Sequence, residues 1–149
     1  MKELITTITN NAYETERIGA SLAEIISDRK HAFIALYGDL GTGKTAFTRG
    51  FCSVAAPKDR ICSPTFAIIN EYRSGKIPVF HFDVYRILDD DDLYSTGFYE
   101  YVEQGIILCE WSENIPYAIP DSRIEVRIEK VDPEIYPDKR LITITEFGV

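Results

Sequence analysis

A glycine-rich stretch, GDLGTGKT from Gly38 to Thr45, constrains this chain more than any other part of its sequence. Its spacing, G-x-x-x-x-G-K-T, is that of a P-loop. The apolar run HAFIALY at 31–37 precedes it and predicts a buried strand, while AFTRGF at 46–51 suits the first turns of a helix. The motif therefore stands in the strand–loop–helix context that phosphate binding requires, and we expect it to bind a nucleoside triphosphate.

The residue types of the motif match this chemistry. Glycines leave room for the backbone to wrap a phosphate, and successive N–H groups form a nest for the anion. Lys44 supplies a positive charge for the β- and γ-phosphates, and the hydroxyl of Thr45 is suited to ligate Mg²⁺. The predicted nucleotide-binding residues of this stretch are Gly38, Asp39, Leu40, Gly41, Thr42, Gly43, Lys44, Thr45 and Ala46.

Size and charge narrow the function further. With 149 residues, 45% of them hydrophobic, the chain is expected to form one globular domain over residues 1–149. The net charge of −8 and the absence of a Lys/Arg cluster argue against direct binding of nucleic acid. No apolar stretch approaches the roughly 20 residues that span a membrane, and the first residues lack the apolar segment of a signal peptide. We therefore expect a cytoplasmic protein without a membrane partner.

The hydrophobic pattern predicts an α/β fold with a single P-loop domain. About seven strands form a mixed, mainly parallel sheet flanked by helices, and the last two strands form an antiparallel hairpin. The predicted strands are 3–9, 31–37, 66–73, 77–85, 106–109, 122–131 and 139–147. Asn11 is the predicted N-cap of a helix that runs through Ser27, with Glu14 as its capping-box partner, and residues 89–104 are predicted to form a further helix.

Two acidic residues end apolar strands and are candidates for the chemistry beside the P-loop. Asp83 ends IPVFHFD and Glu110 ends GIILCE. Mg²⁺ prefers hard oxygen ligands, so each carboxylate is a candidate metal ligand. Glu110 follows the longer unbroken apolar run and resembles the usual metal-side acid more closely, whereas Asp83 could bind metal-bound water or orient the attacking water. The predicted catalytic residues are Lys44, Asp83 and Glu110.

Four further residues have two readings each. Ser63 and Thr65 could be phosphate-sensing hydroxyls on a switch segment, or parts of a proline-marked loop that leads into a strand. His81 could polarise the site or be a packing residue. Trp111, next to Glu110, could anchor the core or contact a partner.

Several segments together resemble the TsaE family (also called YjeE), which are bacterial P-loop ATPases. They are, in order, LYGDLGTGKTAFTRGF, SPTFAIINEY, HFDVYR, LYSTGFYEY and CEWSEN, from about Leu36 to Asn114. The resemblance implies a protein that binds ATP or ADP with Mg²⁺ and hydrolyses ATP, slowly alone and faster with its partners. It implies a role in making threonylcarbamoyladenosine beside the anticodon of tRNA, by docking on a TsaD–TsaB heterodimer that carries the tRNA contacts.

The resemblance also implies roles for single residues. Thr45 and Glu110 would be the magnesium ligands, and Asp83 the further acid needed for hydrolysis. Ser63 and Thr65 would belong to a nucleotide-responsive loop, and Trp111 matches a tryptophan near the site. The family also approaches the nucleotide near the termini, at positions that correspond to Asn11, Ala12 and Arg140.

Two other functions compete with this interpretation. A small-molecule kinase, for a nucleoside or another metabolite, would need an acceptor pocket and usually a basic lid, and no lid-like segment is evident in the sequence. A nucleotide-dependent interaction module with little turnover would share the same P-loop. A GTPase is disfavoured because the guanine-binding pattern N-K-x-D is absent.

Overall fold

The computed structural model describes residues 1–39, 41–62, 64 and 68–148. Within these residues the chain forms seven strands, four α-helices and two short 3-10 turns. The strands are β1 (Lys2–Thr9), β2 (Ala32–Tyr37), β3 (Ile69–Tyr72), β4 (Val79–Asp83), β5 (Ile106–Glu110), β6 (Arg123–Lys130) and β7 (Arg140–Phe147). The helices are α1 (Ala12–Ile25), α2 (Lys44–Ala55), α3 (Asp90–Ser95) and α4 (Phe98–Tyr101), and the 3-10 turns are Ser112–Asn114 and Pro116–Ala118.

All described strands belong to one sheet, in the order β1-β7-β6-β2-β5-β4-β3. The central strand β2 is parallel to both β5 and β6, and β4 is parallel to β5. Strands β3 and β7 run antiparallel to β4 and β6, and β1 is antiparallel to β7. Strand β1 therefore points the same way as the four parallel strands, so only β3 and β7 oppose the common direction. The predicted α/β fold, with a mixed, mainly parallel sheet and a C-terminal antiparallel hairpin, is confirmed.

The two faces of the sheet bury separate apolar clusters. Helices α1 and α2 cover one face, where Leu22 and Phe47 pack against Leu36 and Leu108 of the sheet. Helices α3 and α4 cover the other face, where Phe98 packs edge-on against Phe82 with ring centroids 5.2 Å apart. Because side chains alternate along a strand, His81, Asp83, Leu108 and Glu110 all belong to the α1 and α2 face.

Asn11 is the N-cap of α1, as predicted, but the Glu14 side chain has a different backbone partner from the one a capping box predicts. The Glu14 backbone N–H donates to the side-chain oxygen of Asn11 at 2.9 Å, as expected for an N-cap. The Glu14 carboxylate, however, accepts from the backbone N–H of Asn10 at 2.9 Å, one residue before the cap. The helix also ends at Ile25 rather than at the predicted Ser27.

The prediction of one helix over residues 89–104 was wrong. The segment forms α3 and α4, which are separated at Gly97 with φ of 83°, a left-handed conformation that a glycine adopts easily. The Thr96 side chain accepts from the Phe98 backbone N–H at 3.2 Å and so competes with the helical hydrogen bonds at the break. No helix among the described residues is long and apolar enough to span a membrane.

Candidate functional site

The loop between β2 and α2 ends at Gly43, after which the helix begins. Gly43 is the N-cap of α2 and has φ of 114°, which favours glycine strongly over other residues. Its carbonyl accepts from the Phe47 backbone N–H at 2.9 Å, which closes the first turn of the helix. The N-terminus of a 12-residue helix therefore begins at Lys44, directly after the loop, and carries the positive end of the helix dipole.

Lys44 is held by two contacts. Its ammonium donates to the carbonyl of Gly38 at 2.7 Å and lies 3.9 Å from the centre of the Trp111 ring. The residue is 7% exposed, so the charge is partly withdrawn from water and interacts more strongly with nearby anions. The Trp111 ring also packs on Tyr85, with centroids 4.9 Å apart. Trp111 therefore forms one wall beside the lysine.

The backbone of Trp111 has φ of 63°, a left-handed conformation that is uncommon for a non-glycine residue. Local strain of this kind is stored most often at functional sites. It turns the chain sharply after Glu110, the last residue of β5.

The two predicted acids are neighbours. Asp83 and Glu110 are directly paired in the β4–β5 register, and Glu110 is also paired with Leu36, two residues before Gly38. Parallel strands lie about 4.8 Å apart, so Glu110 stands beside the strand that leads into the P-loop and Asp83 stands one strand further away. Burial raises the pKa of Asp83 above its ordinary value, and the charge of Glu110 adds to that effect, whereas the hydrogen bond from the Tyr85 backbone N–H and the charge of Lys44 oppose it.

A buried hydrogen-bond chain fixes Glu110. Its Oε2 lies 2.6 Å from Nε2 of His81, and Nδ1 of His81 lies 3.2 Å from the hydroxyl of Tyr72. That hydroxyl also donates to the Cys62 carbonyl at 3.0 Å. His81 is fully buried and Glu110 is 4% exposed. His81, for which the sequence offered two readings, is both buried and hydrogen-bonded to Glu110.

The end of β1 and the start of β7 lie beside the P-loop. Arg140, the first residue of β7, donates through Nε to the Thr42 carbonyl at 2.7 Å and through Nη2 to the Gly41 carbonyl at 3.1 Å. Thr9 is paired with Arg140 across β1 and β7, and its hydroxyl is 2.8 Å from that of Thr15. A Cβ placed on Gly43 would lie 3.6 Å from Cγ2 of Thr15.

Most of the predicted site residues are therefore brought together. Asn11 and Ala12 form the start of α1, one turn before Thr15, and so lie on the same side as Gly43. Asp39 faces solvent, and its carbonyl accepts from the Thr42 hydroxyl at 3.0 Å, while Ala46 is buried in the first turn of α2. Leu40, Ser63 and Thr65 lie outside the described residues, so the predictions for them stay predictions.

Tyr72 is the residue that the sequence did not single out. It reaches His81 because β3 and β4 pair with Asn70 opposite His81 and Tyr72 opposite Val79. The sequence predicted both strands but not this register. The only signal in the sequence was that Tyr72 belongs to the predicted strand 66–73, which directly precedes the strand that contains HFD.

These oxygen donors suit a hard cation whose coordination is completed by oxygens from other molecules. Thr45 offers a hydroxyl in the first turn of α2, and Glu110 offers a carboxylate at the same edge of the sheet. Among the residues with a described placement, no group of three or more His, Cys, Asp or Glu forms a closed metal site. Mg²⁺ is usually held through one or two carboxylates with phosphate oxygens and water, and the residues present fit that mode of binding.

Comparison with known proteins decides the family. The model of the family described as "Threonylcarbamoyl adenosine biosynthesis protein TsaE" matches residues 9–140. The chain belongs to the TsaE family. Proteins of the TsaE family take part in the biosynthesis of tRNA threonylcarbamoyladenosine.

Individual TsaE proteins are similar over most of the chain. The protein named tRNA threonylcarbamoyladenosine biosynthesis protein TsaE from Rickettsia felis is 35% identical over 141 residues, which cover 92% of this chain and 77% of the relative. The protein of the same name from Bacillus subtilis is 40% identical over 116 residues, covering 77% and 70%. The crystal structure of Bacillus subtilis YdiB superposes with a TM-score of 0.78 at 34% identity and covers 99% of this chain and 88% of that one.

Proposed function

We propose that this TsaE-family chain binds ATP with Mg²⁺, hydrolyses it to ADP and phosphate, and thereby supports threonylcarbamoyl modification of the adenosine next to the anticodon of tRNA. In this proposal it acts on a TsaD–TsaB heterodimer, and the tRNA is contacted through those partners. The net charge of −8 supports an indirect role towards tRNA, because a direct phosphate contact would favour a basic surface. We place the activity in the cytoplasm, in keeping with three cysteines that are all free thiols.

The single observation that carries the proposal is that three chemically distinct groups lie together at the P-loop. The glycine-rich backbone and the N-terminus of α2 offer N–H donors, Lys44 offers a buried cation, and Asp83 and Glu110 stand side by side on the adjacent strands. A cavity of about 460 Å³ borders Gly38 and Trp111 and provides room for a ligand beside this loop. These are the parts that phosphoryl transfer to water requires.

Each residue has a defined task in the proposed reaction. Backbone N–H groups of the loop and Lys44 hold the β- and γ-phosphates and stabilise the charge that develops during transfer. Thr45 and Glu110 would hold Mg²⁺, which neutralises phosphate charge when bound. Asp83 is the additional acid: its half-buried carboxylate at the edge of the site is suited to hydrogen-bond a water molecule.

The test is a direct assay with purified protein. ADP and ATP affinity are measured with and without Mg²⁺, and phosphate release is followed alone and with TsaD–TsaB. The proposal predicts nucleotide binding by the chain alone, slow release of phosphate, and faster release with the heterodimer. Lys44→Ala is expected to weaken ADP binding at least tenfold, about 1.4 kcal/mol, while Lys58→Ala, an exposed lysine after α2, is expected to leave it unchanged.

The competing functions give different results in the same assay. Transfer of the γ-phosphate to a nucleoside or other small acceptor, with water as a poor substitute, would overturn the hydrolase proposal in favour of a kinase. Tight nucleotide binding with no phosphate release, even with TsaD–TsaB, would favour an interaction module.

A further inference from the structure

The guanidinium of Arg140 is bonded to the backbone of the P-loop. Nε donates to the carbonyl of Thr42 at 2.7 Å, and Nη2 donates to that of Gly41 at 3.1 Å. The third nitrogen, Nη1, donates to the carbonyls of Pro137 and Lys139, both at 2.9 Å. The side chain therefore joins the turn before β7 to the P-loop, which lies 98 residues earlier in the sequence.

An arginine is suited to this task because its donors form a rigid planar fork. Two adjacent carbonyls held by one fork cannot rotate independently. The position of the fork is itself fixed, because Arg140 begins β7 and is paired on one side with Thr9 of β1 and on the other with Lys130 of β6.

Holding these carbonyls also sets the direction of the neighbouring N–H groups. In a trans peptide the carbonyl and the following N–H point to opposite sides. The Thr42 carbonyl faces Arg140, so the N–H of Gly43 points away from Arg140. A second restraint acts at the other end of the turn, where the backbone N–H and the hydroxyl of Thr42 both donate to the Asp39 carbonyl, at 3.3 and 3.0 Å.

We propose that Arg140 is a positioning residue that holds the Gly41 and Thr42 carbonyls outward, so that the loop presents the N–H of Gly43 to a diphosphate before the nucleotide arrives. The inference rests on the proposed nucleotide binding and deepens it. It differs from a direct contact between Arg140 and the nucleotide, because the group that Arg140 acts on is the protein backbone.

The experiment compares three variants of the full-length chain. Arg140→Gln removes the charge and most of the fork. Arg140→Lys keeps the charge but cannot hold two carbonyls as a planar fork does. Lys130→Gln is the matched control, because it removes a charge at the paired position of β6, where Nζ would lie 3.8 Å from a Cβ placed on Gly41.

Two readouts separate positioning from a general structural effect. The first is the ratio of ADP to AMP affinity, measured by competition. Both Arg140 variants are expected to bind ADP about tenfold more weakly and AMP less than twofold more weakly, with Lys130→Gln affected several-fold less than either. The second is the amide NMR spectrum of the nucleotide-free protein, in which the Thr42 and Gly43 signals are expected to shift in both Arg140 variants and stay near their wild-type positions in Lys130→Gln.

Other outcomes overturn the inference. Equal losses of ADP and AMP affinity would show that Arg140 contacts the nucleoside part, and full recovery by Arg140→Lys would show that only its charge matters. Unchanged Thr42 and Gly43 amide signals would show that the loop keeps its shape without the fork. If the wild-type chain binds no ADP at all, the proposed function fails, while the amide signals of the free protein still test the role of Arg140.

Discussion

Nε2 of His81 lies 2.6 Å from Oε2 of Glu110, and both side chains are buried. Two unprotonated acceptors would repel each other at this distance, so a proton lies between them. One carboxylate oxygen of Glu110 is thereby committed to the histidine, and the other is left for the site. The relationship explains how a carboxylate at the end of an apolar strand is held in one orientation.

Replacement of His81 by phenylalanine is expected to destabilise the fold. It leaves Glu110 buried without its hydrogen-bond partner, which costs about 1–3 kcal/mol of the free energy of unfolding. Urea denaturation measures the loss. Tyr72→Phe removes only the hydroxyl at the far end of the hydrogen-bond chain from Glu110, so it should lower the free energy of unfolding by less. Equal stability of His81→Phe and the wild type would contradict the role assigned to this hydrogen bond.

Glu110→Gln separates catalysis from folding. The amide oxygen of glutamine can still accept from Nε2 of His81, so the midpoint of thermal unfolding should change by no more than a few degrees. The negative charge proposed to hold Mg²⁺ is lost, so phosphate release should fall at least tenfold, and the gain in ADP affinity caused by Mg²⁺ should shrink. Glu24→Gln, at an exposed position of α1, is the control. A collapse of stability with unchanged turnover of the remaining folded protein would identify Glu110 as structural.

The fluorescence of Trp111 should report nucleotide binding. It is the single tryptophan of the chain, and the Lys44 ammonium lies 3.9 Å from its ring centre. A phosphate that attracts Lys44 changes this cation–π contact, so Mg²⁺–ADP should alter the emission intensity or wavelength. Lys44→Met, titrated in parallel, should show a weak or absent response at the same ADP concentration. Silence of the wild-type protein at saturating ADP would contradict the placement of the ligand beside Trp111.

An ion pair far from the P-loop makes stability depend on pH. Arg29 donates to Glu146 through two nitrogens, with Nη2 3.1 Å from Oε1, and this hydrogen bonding holds the pKa of Glu146 below its ordinary 4.5. A lowered carboxyl pKa means that the contribution to stability is complete above about pH 4.5 and is lost as the pH falls through the folded-state value. Glu146→Gln should therefore lower the free energy of unfolding by about 1 kcal/mol at pH 7 and by less below pH 4. A pH-independent difference, measured by urea unfolding, would contradict this.

Local sequence patterns predicted the α/β fold and marked the two acids whose placement the sheet now shows. The strands around the P-loop are short apolar runs, and the ends of two of them carry Asp83 and Glu110, which are paired in the sheet as expected from neighbouring parallel strands. A pattern of this kind is readable because it depends on residues close together in the chain. The break at Gly97 was not predicted, because a single glycine within a helical pattern is often tolerated and only the tertiary packing decides.

The roles of Arg140, Tyr72 and His81 depend on contacts between different strands or loops. Arg140 reaches Thr42 only because β7 lies between β1 and β6, and strand order at the edge of a sheet is not encoded in any one stretch. Tyr72 reaches His81 through the β3–β4 register, which would slip with a different turn. For such residues the sequence can identify a candidate position, but the strand order and register of the sheet determine which atoms the side chain contacts.

The most direct measurement is a crystal structure of the chain with ADP and Mg²⁺. The proposed function predicts the β-phosphate within the loop of residues 38–45, hydrogen-bonded by backbone N–H groups and Lys44, with the metal bound to the Thr45 hydroxyl and Glu110. ADP bound elsewhere, with this loop empty at saturating nucleotide, would contradict it.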